Sequence, residues 1–198
     1  MAIDWCADRI AYMLGYNGDA MAIITDRRKL EVMSRETTIE ECKQLNLFGL
    51  LEHELVESKI PGCGLASIQI GYDLRANLMI SEKEVYRMIN PEILEESEPF
   101  VFPNEGCLSD PGKTYNTNRY RRIKIKWIDY DTGKERTAVT EDFKAVVLQH
   151  ELDHHNGILN YKREYHSAIL GRNDLCPICK ENGITIKCKK CKIHNSVY

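Results

Sequence analysis

No apolar run in the 198 residues approaches the roughly 18 needed to cross a bilayer; Leu47 to Leu51 is the greasiest stretch, and it contains Gly49. The first residues carry Asp4, Asp8 and Arg9 among scattered apolar positions and lack the basic head and continuous apolar segment of a secretory signal. The chain is expected off the membrane and in the cytoplasm. Internal repeats and low-complexity tracts are also missing, which argues against solenoid and fibrous architectures. What is present is ordinary for a soluble protein, with 43% hydrophobic and 29% charged residues. At this length, one main domain with a small appendage is expected.

Charge and cysteine are unevenly spread. Residues 171–198 carry six basic and two acidic side chains, a net of +4, so the chain's total of −3 leaves −7 on everything before them. A basic annex on an acidic body favours an anionic partner, although a solvated surface serving a small zinc module reads equally well. Eight cysteines would suggest disulfides in a small secreted protein, but their placement does not. Cys176, Cys179, Cys188 and Cys191 form two C-x-x-C pairs; Cys6, Cys42 and Cys63 are scattered; Cys107 stands alone among turn-forming residues.

Thr37 and Thr38 before Glu40 and Glu41 are a capping signature, and Ile39, Cys42, Leu45, Leu51 and Leu55 recur at helical spacing, so the pattern predicts one helix from about Thr38 to Ser58. Short strands are predicted at Leu78 to Ile80, Tyr86 to Ile89 and Ile123 to Asp129. In the last of these, Ile123, Ile125 and Trp127 alternate with lysines. Asp131-Thr132-Gly133-Lys134 supplies a hairpin turn to a partner around Thr137 to Thr140, and a helix follows from about Glu141 to His155. That order is α+β with a mostly antiparallel sheet.

His150-Glu151-Leu152-Asp153-His154 is an H-E-x-x-H segment, which on a helix puts two imidazoles on one face, one turn apart. Phe143, Val146 and Val147 lie toward the same side, predicting an apolar stripe that ends in the two histidines. Glu151 can reach a water activated by the metal without being a ligand. A catalytic metal takes three protein ligands, so a third is required elsewhere. Cys107, in Asn104-Glu105-Gly106-Cys107-Leu108-Ser109, is the candidate, since a thiolate suits zinc or ferrous iron; taken alone it reads more often as a small buried hydrophobe or a surface thiol, and it is the pairing with H-E-x-x-H that makes it a ligand. Gly106 beside it suggests a backbone conformation or close approach closed to other residues. In Gly62-Cys63-Gly64-Leu65-Ala66-Ser67-Ile68-Gln69, small residues followed by one amide suit an edge lying against an extended substrate, or a glycine-rich connection with a satisfied glutamine.

In this order the three segments resemble the three signature motifs of peptide deformylases, with weaker similarity through Asp26-Arg27-Arg28-Lys29-Leu30 and Ile89-Asn90-Pro91-Glu92-Ile93. The resemblance covers about residues 21–165. It implies a domain of mostly antiparallel sheets around a central metal-binding helix, and a hydrolase that removes the formyl group from N-formylmethionyl peptides. By the same resemblance Cys107, His150 and His154 bind Fe2+, with Zn2+, Ni2+ or Co2+ tolerated, and Glu151 is general base and acid. Gln69 and the Leu108 N–H steady the oxyanion, while Cys63, Gly64 and Gly106 line the cleft. Departures are Ser67 for alanine, Cys63 for an aliphatic residue, His155 for leucine, and no arginine near Thr114.

Residues 1–20 form an extension of unread purpose. In residues 171–198, the two C-x-x-C pairs eight residues apart predict a closed structural Zn2+ site. Gly171-Arg172-Asn173-Asp174 with Cys176 and Pro177 is partly similar to SEC-C zinc motifs, which implies partner binding; because the deformylase resemblance implies work on chains emerging from ribosomes, the basic tail is expected to touch ribosomal RNA or a nascent-chain factor. Two rival readings are a zinc endopeptidase, whose third ligand lies downstream rather than at Cys107, and a zinc-module adaptor without turnover.

Overall fold

The computed structural model describes residues 23–165 apart from Lys59, Pro61, Glu82 and Lys83. The extension over residues 1–20 and the cysteine pairs of the tail lie outside the described residues. A short α1 (Arg27–Leu30) is capped by Asp26, whose Oδ1 accepts from the Arg28 N–H at 3.0 Å. α2 (Ile39–Gln44) begins at Thr38, whose hydroxyl accepts from the Glu41 N–H at 3.1 Å.

The single helix predicted to Ser58 is two. Asn46 adopts a left-handed conformation (φ 48°) and separates α2 from α3 (Leu47–Glu57). The hydrophobic spacing is helical on both sides of the break, so periodicity alone cannot locate it.

β1 (Gly64–Ala66), β2 (Ala76–Ile80), β3 (Val85–Gly106), β4 (Thr114–Asp129) and β5 (Glu135–Glu141) make one antiparallel sheet in sequential order. β2 is buried along its whole length because both faces of the sheet are covered. Leu78 and Ile80 meet Leu47, Phe48, Leu51 and Leu55 of α3. Met79 joins Met88, Ile123, Ile125 and Trp127 against α4 (Asp142–His155), which supplies Ala145, Leu148 and Leu152.

The strand predicted over Tyr86 to Ile89 continues for 22 residues. Pro91, Pro99 and Pro103 interrupt its reading as a strand, since proline offers no N–H to a ladder. The chain absorbs two of them at register shifts, between Ile89 and Glu92 and between Phe102 and Glu105. The long β3–β4 hairpin therefore bends from the α3 core to the end of α4, delivering Glu105 and Cys107 there. The helix stops in a Schellman arrangement: Gly157 (φ 66°) donates to the His154 carbonyl at 3.1 Å and Ile158 to the Asp153 carbonyl at 2.9 Å. Among the described residues no helix is long and apolar enough to cross a membrane.

Candidate metal centre

One helical turn separates His150 from His154 on α4, and their Nε2 atoms converge to 3.2 Å. Cys107, at the end of β3, brings its Sγ to 3.4 Å from His154 Nε2. The three ligand atoms lie within 4.8 Å of one another. Cys107 is 8% exposed and His154 fully buried. His150 Nδ1 faces Glu105 Oε1 at 2.7 Å, so with Nδ1 as the donor its Nε2 presents a bare lone pair to the centre. Two converging imidazole nitrogens and a thiol sulfur fit a soft or borderline divalent cation better than they fit each other. Burial pushes the Cys107 thiol up, but His154 and His150 outweigh it and hold it well below the ordinary value. Burial likewise opposes a charged His150, yet Cys107 and Glu105 raise it well above the usual imidazole. In the metal-free chain the thiolate and a charged His150 stabilise each other; metal binding keeps the thiolate and requires His150 to give up its extra proton.

Glu151 is buried beside this cluster, and burial pushes its carboxyl up to about 7 against the opposing pull of His150 and His154. Its Oε2 makes no hydrogen bond. Gly64 lies directly under it: a Cβ there would stand 2.9 Å from Glu151 Cδ and closer still to Oε1. Gln69 sits in a 3-10 turn over Ser67–Ile70, where the Ala66 N–H donates to its Oε1 at 2.8 Å. That bond fixes the amide so that Nε2 points to Ser109 Oγ (3.1 Å) and Cys107 Sγ (3.8 Å).

The remaining expected site residues are less uniform. Leu108 follows Cys107 and lines a cavity of about 280 Å³ with Ile23, Ile60 and Pro111. Cys63 is half-buried, and its carbonyl accepts from the Ile80 N–H at 2.7 Å. Gly106 has no unusual conformation: it pairs with Thr114 in the sheet, and an added Cβ would meet only Thr114 Cγ2 at 4.0 Å. Nothing in the chain itself requires glycine there. The apolar stripe on α4 also needs correction. Val146 is buried, but Phe143 is 45% exposed and rests on Phe102 with ring centroids 6.1 Å apart. The last turns of α4 are buried on nearly every side, including Gln149, Asp153 and His155. Buried His155 is kept neutral, its pKa pushed down to about 3 by burial and then by Arg75.

Sequence reasoning missed a buried ion network behind the ligands. Arg119, 2% exposed, grips Glu105 through Nε (2.8 Å) and Nη2 (2.6 Å) and reaches Asp153 through Nη1 (2.6 Å). The Thr117 hydroxyl donates to Glu105 Oε2 at 2.6 Å. Burial would raise the Glu105 carboxyl, but Arg119 and His150 hold it well below the usual range. The available signal was position: Glu105 stands two before the cysteine, and Asp153 lies inside the H-E-x-x-H segment.

The polypeptide deformylase family profile matches residues 24–167. A peptide deformylase of Borreliella burgdorferi is 39% identical over 129 residues, covering 64% of this chain and 76% of that protein. One of Desulfotalea psychrophila is 46% identical over 105 residues, covering 50% of this chain and 61% of the relative. Among solved structures, the peptide deformylase of Thermus thermophilus superimposes with a TM-score of 0.66 at 31% identity, covering 74% of this chain and 86% of its own. A Met-Ala-Ser-bound class I type b peptide deformylase of Acinetobacter baumannii gives 0.67 at 26% identity, covering 74% and 99%.

Proposed function

The chain belongs to the polypeptide deformylase family, and from that premise we propose that Cys107, His150 and His154 hold a divalent ion beside which Glu151 and Gln69 act on the formyl group. Family membership assigns the reaction: hydrolytic removal of the N-formyl group from nascent peptides, releasing formate. The observation that carries the division of labour is the convergence of one sulfur and two imidazole nitrogens with an unbonded, buried carboxylate oxygen next to them.

The ion, when bound, supplies Lewis-acid polarisation and a lowered pKa for water at the site. Glu151, held near 7 by burial in the chain alone, takes a proton from the attacking water and returns it to the leaving amine. Gln69, whose amide orientation is fixed through Ala66, donates toward the developing oxyanion, with the Leu108 N–H as the second donor. Gly64 leaves the room in which Glu151 sits, and Cys63 and Gly106 border the path of the formylmethionyl end. The Met-Ala-Ser bound to the Acinetobacter relative supports a short peptide as the occupant of that path.

Fe2+ fits the donor set, with Zn2+, Ni2+ or Co2+ as substitutes. In the tail, Cys176, Cys179, Cys188 and Cys191 hold a structural Zn2+, and its basic residues touch the ribosome or a nascent-chain factor; residue spacing and charge support this part. A cytoplasmic location suits a substrate that is a nascent chain.

The test is formate release from formyl-Met-Ala-Ser by the full chain loaded with Fe2+ under anaerobic conditions, run beside a casein digest. Formate without casein cleavage is expected. Casein cleavage without formate would return the chain to the endopeptidase reading, and neither activity would favour the adaptor.

A further inference from the structure

After α4 the chain makes a 3-10 turn over Asn160–Arg163 and then runs back along β4. Glu164 forms a bridge with Thr117, the Tyr165 N–H donates to the Asn116 carbonyl, and Asn118 Nδ2 donates to the Arg163 carbonyl at 3.2 Å. Two side chains of this strap reach inward. Asn160, 2% exposed, donates from Nδ2 to the backbone carbonyl of Glu105 at 3.2 Å. Arg163 sets a two-pronged fork on Asp153, Nη2 to Oδ1 at 2.6 Å and Nε to Oδ2 at 3.0 Å.

We propose that Arg163 and Asn160 are positioning residues of the metal centre, completing a relay that runs Arg163–Asp153–Arg119–Glu105–His150. Each link is a charge-assisted contact; Asp153, Arg119 and Glu105 are buried and His150 nearly so, while Arg163 at the outer end is 26% exposed. Two guanidinium cations and two carboxylates alternate along it, and Glu96, whose carboxyl burial pushes up, lies within electrostatic reach of Arg163 and Asp153, so loss of Arg163 leaves carboxyl groups in excess. Without Arg163, Asp153 and Glu105 compete for one guanidinium, and one buried negative charge is uncompensated. Arg119 can then no longer hold Glu105 in one orientation, and Glu105 is the group that fixes the ring of His150. Asn160 works from the other side: it pins the strand carbonyl two residues before Cys107. The strap thereby touches the supports of two ligands, one on β3 and one on α4. Groups that orient metal ligands in this way change metal affinity or activity by about 10- to 100-fold when removed.

The inference rests on the deformylase reading only for its activity readout. The full chain and its R163M, R163K and N160A variants are loaded with Co2+. Cobalt affinity is measured by chelator competition, the thiolate-to-cobalt absorption is recorded, and kcat and KM are measured on formyl-Met-Ala-Ser. R163M is expected to bind Co2+ about 10-fold more weakly, with an altered cobalt spectrum and a lower kcat at little-changed KM. R163K, which keeps the charge without the fork, recovers part of the affinity, and N160A gives a smaller change of the same sign. Wild-type cobalt affinity and spectrum in R163M, with only thermal stability reduced, would overturn the proposal. Should R163M fail to fold, a wild-type cobalt spectrum and affinity in R163K does the same. Absence of deformylation by the unaltered chain would sink the functional reading while leaving the cobalt measurements decisive here.

Discussion

Leu47, Phe48, Leu51 and Leu55 of α3 meet Leu65, Leu78 and Ile80 across one face of the sheet. On the other face α4 begins in the same manner, with Ala145, Leu148 and Leu152, but its last turns bury Glu151, Asp153, His154 and His155. The first face is stabilised by area removed from water and tolerates any filling of similar volume. The second is stabilised only if every charge has its partner, because a buried charge left alone is more costly than one never introduced. α3 thus carries mostly the fold and α4 mostly the chemistry, although α3 also buries Glu52 and Glu54 and Leu108 packs against its apolar cluster.

Substitutions on the two faces put this contrast at risk. The largest effect is expected from E151Q, which should lower kcat by about 10²–10⁴-fold while thermal unfolding and metal content stay close to wild type, as formate release and metal analysis would record. R119M removes the cation between Glu105 and Asp153 and should cost about 3–5 kcal/mol in denaturant unfolding. It should also weaken metal binding, because His150 loses its oriented partner. L51A on the apolar face should cost about 2–5 kcal/mol, with kcat of the folded fraction unchanged. If L51A altered kcat as strongly as R119M, the two faces would not be separable.

Adding metal gives a smaller change. At a hundredfold excess over Kd it should stabilise the wild type by about 2.7 kcal/mol in denaturant unfolding, and R119M by less. Smallest is the surface pair of Arg35 and Glu41, where the Arg35 guanidinium and then the Thr37 hydroxyl bring the Glu41 carboxyl from 4.5 down to about 2. Its contribution is fully present above pH 4.5 and disappears as pH falls toward 2. An acid unfolding titration of R35M should lose only that increment.

The chemistry was more legible than the scaffold. H-E-x-x-H, the cysteine upstream and the glutamine after the glycines are local patterns whose spacing carries their meaning, and the described residues bring Cys107, His150, His154, Glu151 and Gln69 to one place. The alternation of Ile123, Ile125 and Trp127 also translated directly into burial. What escaped depends on partners distant in sequence. Arg119 lies in Asn118-Arg119-Tyr120-Arg121-Arg122, where nothing local distinguishes the buried guanidinium from its exposed neighbours. The length of β3 was hidden by its prolines and by Glu95, Glu96 and Glu98, which break the alternation a strand is recognised by. Phe143 fits an apolar helical stripe by spacing, yet its ring only rests against Phe102 of β3 and stays 45% exposed.

The space above Gly64 also has a genetic meaning. Every glycine codon is one base from an alanine codon, and the methyl group so introduced would occupy the volume where the Glu151 carboxylate rests. Gly64 is paired with Met79 in ordinary extended backbone, so the strand itself would accept the alanine. A point mutation could thus leave a correctly folded chain, with its ligands intact, whose proton-transfer group has been pushed aside. What Gly64 contributes is an empty volume, and filling it removes the reaction without removing the fold.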